Sequence, residues 1–139
     1  MINFHKEDTK YQVKGILLTK QVLSQLVENE GFVLVELNLI LCSDAYILDV
    51  NRTYLQHDYF TDIITFDNAD QKLSIEGDLF ISIDTVRSNA KLFKTTILNE
   101  LRRVMVHGAL HLCGYNDKTD EEKVQMRLKE DEYLAYFRS

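Results

Sequence analysis

His107 and His111 stand four residues apart within the run "RRVMVHGALHLCGYND", residues 102 to 117, which is otherwise largely apolar from Val104 to Cys113. Side chains at that spacing on a helix lie one turn above each other, roughly 6 Å along the axis and about 40° around it, so both imidazoles can aim at one point. Gly114 supplies the left-handed residue that ends a helix and turns the chain back, and Asp117 follows three residues later. Two nitrogens and one carboxylate oxygen, with a fourth position left to water, make the ligand set of a catalytic zinc site, whose ion acidifies water and polarises a substrate oxygen. A closed structural site would be richer in cysteine. One Zn2+ per chain on His107, His111 and Asp117 is therefore expected. An HExxH metallopeptidase needs a glutamate directly after the first histidine, and here that position is Gly108. Proton transfer must come instead from the water, another carboxylate or the substrate. Gly108 also costs about 1 kcal/mol inside a helix relative to alanine, which implies either a ligand approaching the backbone or a close helix-to-strand contact.

The elements that must position these groups follow from hydrophobic period and caps. The segment "TTILNELRRVMVHGALHLCG", residues 95 to 114, is apolar on nearly every side near its histidines, so it reads as a central helix covered by the rest of the fold. Upstream, residues 19 to 31 form an amphipathic helix with Val22, Leu23, Leu26 and Val27 inward and Gly31 as its stop. "FVLVELNLIL" changes to period two and predicts a strand with Val33, Val35, Leu37 and Leu39 inward and Glu36 and Asn38 on the opposite face. Ser43 or Asp44 caps a helix through Ile47, Val50 and Tyr54; "TDIITFD" and "IEGDLFISID" read as strands; Asp84 or Thr85 opens a short helix ending near Phe93. Thr119 with Glu122 is a capping box for a last helix whose apolar residues include Val124, Met126 and Leu128. The expected fold is α+β, a small mixed β-sheet flanked by helices with a central metal-binding helix.

No proline or glycine-rich linker divides the 139 residues, so residues 1–139 read as one domain. With 16 lysines and arginines against 22 acids, the formal charge of −6 argues against a general nucleic-acid coat protein but leaves a local basic face open. Arg87, Lys91 and Lys94 form one such cluster, and Arg102, Arg103, Lys118, Lys123 and Arg127 flank the histidine helix and its exit. No run approaches the roughly 18 apolar residues that span a bilayer, and no secretory signal is visible at the start, so a cytoplasmic protein is expected. Cys42 and Cys113 are too few for a disulfide framework and read as core thiols, while His5 and His57 read as surface residues.

"HGALHLCGYND" resembles the signature HGxLHLxGYDH of the YbeY family, metal-dependent endoribonucleases of ribosomal RNA maturation. "NRTYLQHDYFTDIITF" is similar to that family's segment ending in T(D/N)VLSF, and "EGDLFIS" to its LGDxxIS strand, in the same order. The resemblance spans about residues 47 to 134. It implies a zincin-like fold, RNA hydrolysis, ribosomal RNA as substrate, and the ribosome or its proteins as partners. It also implies that His107 and His111 are metal ligands and that Asp117 stands where the family usually has a third histidine. Leu55 replaces a common arginine and Phe60 a common proline, departures that bear on substrate contacts rather than the metal. Hydrolysis of a peptide or amide, or a non-catalytic role in ribosome assembly with structural zinc, are the competing readings.

Overall fold

The computed structural model describes residues 1–56 and 61–138, and His57 and Phe60 lie outside that set. The elements run β1 (Ile2–Lys6), α1 (Ile16–Asn29), β2 (Val33–Cys42), α2 (Asp44–Leu55), β3 (Ile63–Asp67), β4 (Ser74–Ser82), α3 (Ile83–Leu92), α4 (Ile97–Leu112) and α5 (Asp120–Leu134), closed by a 3-10 turn, Ala135–Arg138. The sheet order is β1-β2-β4-β3, with β1, β2 and β4 parallel and β3 antiparallel to β4. This is the expected α+β arrangement with a mixed sheet. No described helix is long and apolar enough to cross a membrane.

The caps expected at Ser43 and Thr119 form, and α4 has a further one at Thr96. Ser43 accepts from the Tyr46 amide, Thr96 from the Asn99 amide, and Thr119 and Glu122 close a reciprocal capping box. Ser82, rather than Asp84 or Thr85, caps α3. The first helix begins earlier than expected, at Ile16, and Gly31 ends it with φ +86°. Val22, Leu23, Leu26 and Val27 are all buried, as their spacing predicted, the last three in the core against the sheet.

Three expectations need correction. β1 was not foreseen, because a five-residue parallel edge strand is specified by pairing with β2 rather than by a pattern of its own. In β2 the pairing shifts between Leu34 and Glu36, so Val35 is an extra residue in the ladder. Since side chains alternate with period two, that insertion reverses the phase: Leu34, Leu37, Leu39 and Leu41 face the core, and Val33 is 66% exposed. In α5, Val124 (61%) and Leu128 (65%) are exposed and only Met126 is buried. At 100° per residue, Met126 points about 200° from Val124, so one helix cannot bury all three.

Both faces of the sheet are used. On one, α1 and α4 cover Leu37, Leu39, Leu41, Ile75, Leu79 and Ile81. On the other, α2 covers Cys42 and Ile64 with Ile47 and Val50, and beyond it a polar ladder runs from Asn3 through Asn38 to Asp78, each step 3.0 Å. α4 is the central helix: Leu101, Met105, Val106 and Leu110 are fully buried, each contributing about 2 kcal/mol of apolar burial. The close approach of α4 to the sheet is what Gly108 permits. A Cβ there would lie 2.6 Å from Ile63 Cδ1 and 2.9 Å from Leu79 Cδ1, so the helix-to-strand alternative accounts for this glycine. His5 is exposed, and both cysteines are free, Cys42 buried and Cys113 half-buried.

Candidate metal centre

The end of α4 sets the geometry. Gly114, at φ +98°, donates to the His111 carbonyl (3.0 Å), and the Tyr115 amide donates to the Leu110 carbonyl (3.1 Å). These two bonds are a Schellman turn, and they bring the chain back along the helix it has just left. The Tyr115 carbonyl thereby arrives 2.9 Å from Nδ1 of His111, and Asp117 reaches the face that carries both imidazoles.

Each imidazole is held by its Nδ1. His107 Nδ1 lies 2.7 Å from Glu130 Oε2 on α5, and His111 Nδ1 faces the Tyr115 carbonyl. Because a carboxylate and a carbonyl can only accept, both rings carry a proton on Nδ1 and turn Nε2 toward the other. The two Nε2 atoms are 2.9 Å apart, and Asp117 Oδ2 is 3.2 Å from one and 3.4 Å from the other. Two imidazole nitrogens and a carboxylate oxygen converging at such separations are placed to share one cation. Tetrahedral zinc with ligands at about 2.0–2.1 Å would space them by roughly 3.3 Å, close to what is found. His107, His111 and Asp117 therefore form a group able to hold a metal ion, and they are the described residues in which such a group occurs. Cys113, neighbouring in sequence, takes no part.

Glu130 is the component that sequence reasoning missed. It is 6% exposed and also receives Arg103 Nη1 at 2.8 Å, while Arg103 Nη2 reaches Asp131 at 3.3 Å. Burial alone would raise the Glu130 carboxyl, but the hydrogen bonds from His107 and Arg103 hold it below its ordinary value. Burial would likewise lower His107, yet the bond to Glu130 and the charges of Glu130, Asp117 and Asp62 raise it. The available signal was spacing: Met126, Glu130 and Tyr133 recur at i, i+4 and i+7 and are the buried face of α5.

A second anchor fastens the turn. Tyr115 donates its hydroxyl to Glu30 at the end of α1 (2.6 Å), and Tyr133 and Lys129 of α5 converge on the same carboxylate. The metal-side turn is thus tied to α1 and α5 together.

An open groove of about 480 Å³ runs past His107, His111 and Asp117, walled by Thr61, Asp62, Ile63 and Thr65 of the β3 segment. Burial raises the Asp62 carboxyl more than the nearby His107 lowers it. Leu55, at the end of α2, is exposed and does not line the groove. Among the basic residues singled out from sequence, Arg102, Arg103 and Arg127 come together near His107, whereas Arg87 stacks 5.8 Å over Tyr11 on another part of the surface.

A mixed α+β sheet whose central helix and following turn bring two imidazoles and a carboxylate to one point beside an open groove defines the class of small metal-dependent hydrolases. Within that class, the chain belongs to the Endoribonuclease YbeY family, whose description matches residues 1–138. It is 52% identical to Endoribonuclease YbeY of Cytophaga hutchinsonii, over 96% of this chain and 94% of that protein. The protein of the same name from Bacteroides thetaiotaomicron is 46% identical over 90% and 96% of the two chains. The fold is similar to the solution structure of TM1509 from Thermotoga maritima, with a TM-score of 0.69 and 30% identity over 99% of this chain and 89% of that one.

Proposed function

We propose that this chain is an endoribonuclease that hydrolyses phosphodiester bonds with one Zn2+ held by His107, His111 and Asp117. The observation that supports it best is the inward pairing of the two Nε2 atoms beside Asp117 Oδ2, in a chain whose relatives carry the name endoribonuclease. When bound, the ion supplies Lewis acidity to the phosphate and its attacking water. The chain's own groups do the rest. Glu130 keeps His107 in the Nδ1-protonated form, and the Tyr115 carbonyl does the same for His111. Asp62 lines the same groove, and we assign to its carboxylate the acceptance of a proton from the attacking oxygen, a role that its raised affinity for protons suits.

Ribosomal RNA is the substrate in this reading, with the ribosome or its proteins as partners and the cytoplasm as compartment, residues 1–139 acting as one domain. The reading is tested by incubating purified protein with ribosomal RNA and with casein, each with chelator and after zinc is restored. Zinc-dependent cleavage of RNA and not casein is expected, lost in His111→Ala that still folds. Chelator-resistant cleavage, or a folded His111→Ala of full activity, would overturn it.

A further inference from the structure

Beside the metal groove lies a second cavity of about 630 Å³, and Asp62 and His107 line both. Its size is that of a site for a nucleotide-sized ligand. Four of the chain's 16 cationic side chains, Arg102, Arg103, Arg127 and Arg138, face it, although the chain as a whole is negative. Their states differ. Arg103 is paired with Glu130 and Asp131. Arg102 lies 4.5 Å over the Phe137 ring with its buried Nε lacking a hydrogen-bond partner. Arg127 and Arg138 are exposed and form no ion pair among the described residues. Phe93, on the same wall, is 60% exposed, an unusual setting for a large aromatic ring.

The depth of the cavity is different in character. Glu100 is 5% exposed and Glu130 is buried, so carboxylates line its inner part, while Arg127 and Arg138, without an ion pair among the described residues, are exposed at its edge. The anionic end of a ligand is favoured at those arginines over the carboxylates. A ligand with a phosphate at one end, a flat face in the middle and hydrogen-bond donors toward the interior satisfies all three zones.

We propose that this cavity receives the nucleotide next to the scissile phosphate of a single RNA strand, its own phosphate on Arg127 and Arg138 and its base against Phe93. The assignment rests on RNA being the substrate. Asn89 and Asn99, also on the wall, and the Glu100 carboxylate are the groups that meet donors of the sugar or base. Since every base has an aromatic face, stacking of this kind tolerates many sequences. The shared wall at His107 and Asp62 makes the strand's path continuous from one cavity to the other.

Binding is measured by fluorescence anisotropy with a labelled 2′-O-methyl oligoribonucleotide, checked as intact on a denaturing gel after each titration, across a salt series and in parallel with cleavage of the unmodified strand. Removing both rim charges in the Arg127→Ala/Arg138→Ala double variant should weaken binding about tenfold and flatten the salt dependence by about one phosphate contact. Phe93→Ala should weaken binding by about the same factor with the salt dependence unchanged, since stacking releases no counterions. Lys123→Ala, exposed on α5 and outside both cavities, should bind as wild type. Wild-type affinity and salt slope in the double arginine variant would overturn the cavity assignment while leaving RNA cleavage standing. Wild-type protein that binds RNA but never cleaves it would sink the proposed activity, and the variants would still judge the cavity; wild-type protein that does neither would refute both.

Discussion

Glu130 Oε2 lies 2.7 Å from Nδ1 of His107, a contact made across 23 residues of sequence by the packing of α5 on α4. A carboxylate in that position fixes the ring and raises its basicity toward a metal, so Glu130→Gln should lower zinc affinity by roughly 10- to 100-fold. Glu130→Ala should lose as much and also melt earlier, because Arg103 is left without its buried partner. Competition with a chromophoric chelator reads the first effect and thermal denaturation the second. Unchanged zinc affinity in both variants would mean that α5 does not support the site.

Asp117 is the third ligand in our reading and is more exposed than either histidine. Asp117→Ala should drop zinc content well below one equivalent on purification. Asp117→His should keep the ion while moving the acid limb of the pH–rate profile to lower pH, because a neutral ligand leaves the ion a stronger Lewis acid. Elemental analysis and a pH–rate profile test the pair; full zinc retention in Asp117→Ala would rule out the ligand assignment.

The Glu30 anchor carries a pH dependence of its own. Burial pushes its carboxyl up, but hydrogen bonds from Tyr115 and Tyr133 and the Lys129 charge outweigh this and hold it below its ordinary value of 4.5. A depressed folded value means that the unfolded chain takes up the proton first. The contribution is therefore present above pH 4.5 and lost as pH falls below it. Urea titrations should show that Glu30→Gln is less stable near neutrality and loses part of the acid-side slope. Tyr115→Phe should cost about 1–2 kcal/mol and weaken zinc binding, since it frees the turn that carries the Tyr115 carbonyl.

Two glycines face the same interface and should respond unequally to alanine. At Gly77 a Cβ would fall 2.5 Å from the Phe66 carbonyl oxygen, a main-chain atom of the paired strand that cannot step aside. Gly77→Ala should cost about 3 kcal/mol or disrupt β3. At Gly108 the obstacles are the methyl ends of Ile63 and Leu79, which can rotate, and alanine recovers about 1 kcal/mol of helix propensity. Gly108→Ala should come out the milder of the two in chemical denaturation; the reverse order would show that β3 yields more easily than those side chains.

Burial pushes the thiols of Cys42 and Cys113 up to about 12 from an ordinary value of 9.0, reinforced by nearby acids, among them Asp8 for Cys42 and Glu30 for Cys113. The native protein should resist iodoacetamide near pH 8 and react in denaturant. The sign of the linkage follows: the unfolded thiols ionise first, so stability declines as pH rises from about 9 toward 12. Rapid alkylation of Cys42 in the native chain would contradict its burial.

The amino-acid sequence by itself determined what local physics can encode. The i, i+4 histidines, the glycine that ends α4, the caps at Ser43 and Thr119 and the inward face of α1 are all set by neighbours within a turn or two, and the signature from His107 to Asp117 carries the family resemblance. Tertiary structure alone decided whatever depends on pairing or packing across distance. β1 exists because β2 offers a parallel edge, and one extra residue at Val35 reverses the face of a strand whose alternation looked regular. Glu130 became a support for His107 because α5 turns Met126, Glu130 and Tyr133 inward and leaves Val124 and Leu128 in solvent. A helix of such weak amphipathicity has no preferred face of its own, so its neighbour α4, with a basic imidazole and Arg103 waiting, selected which carboxylate would be buried.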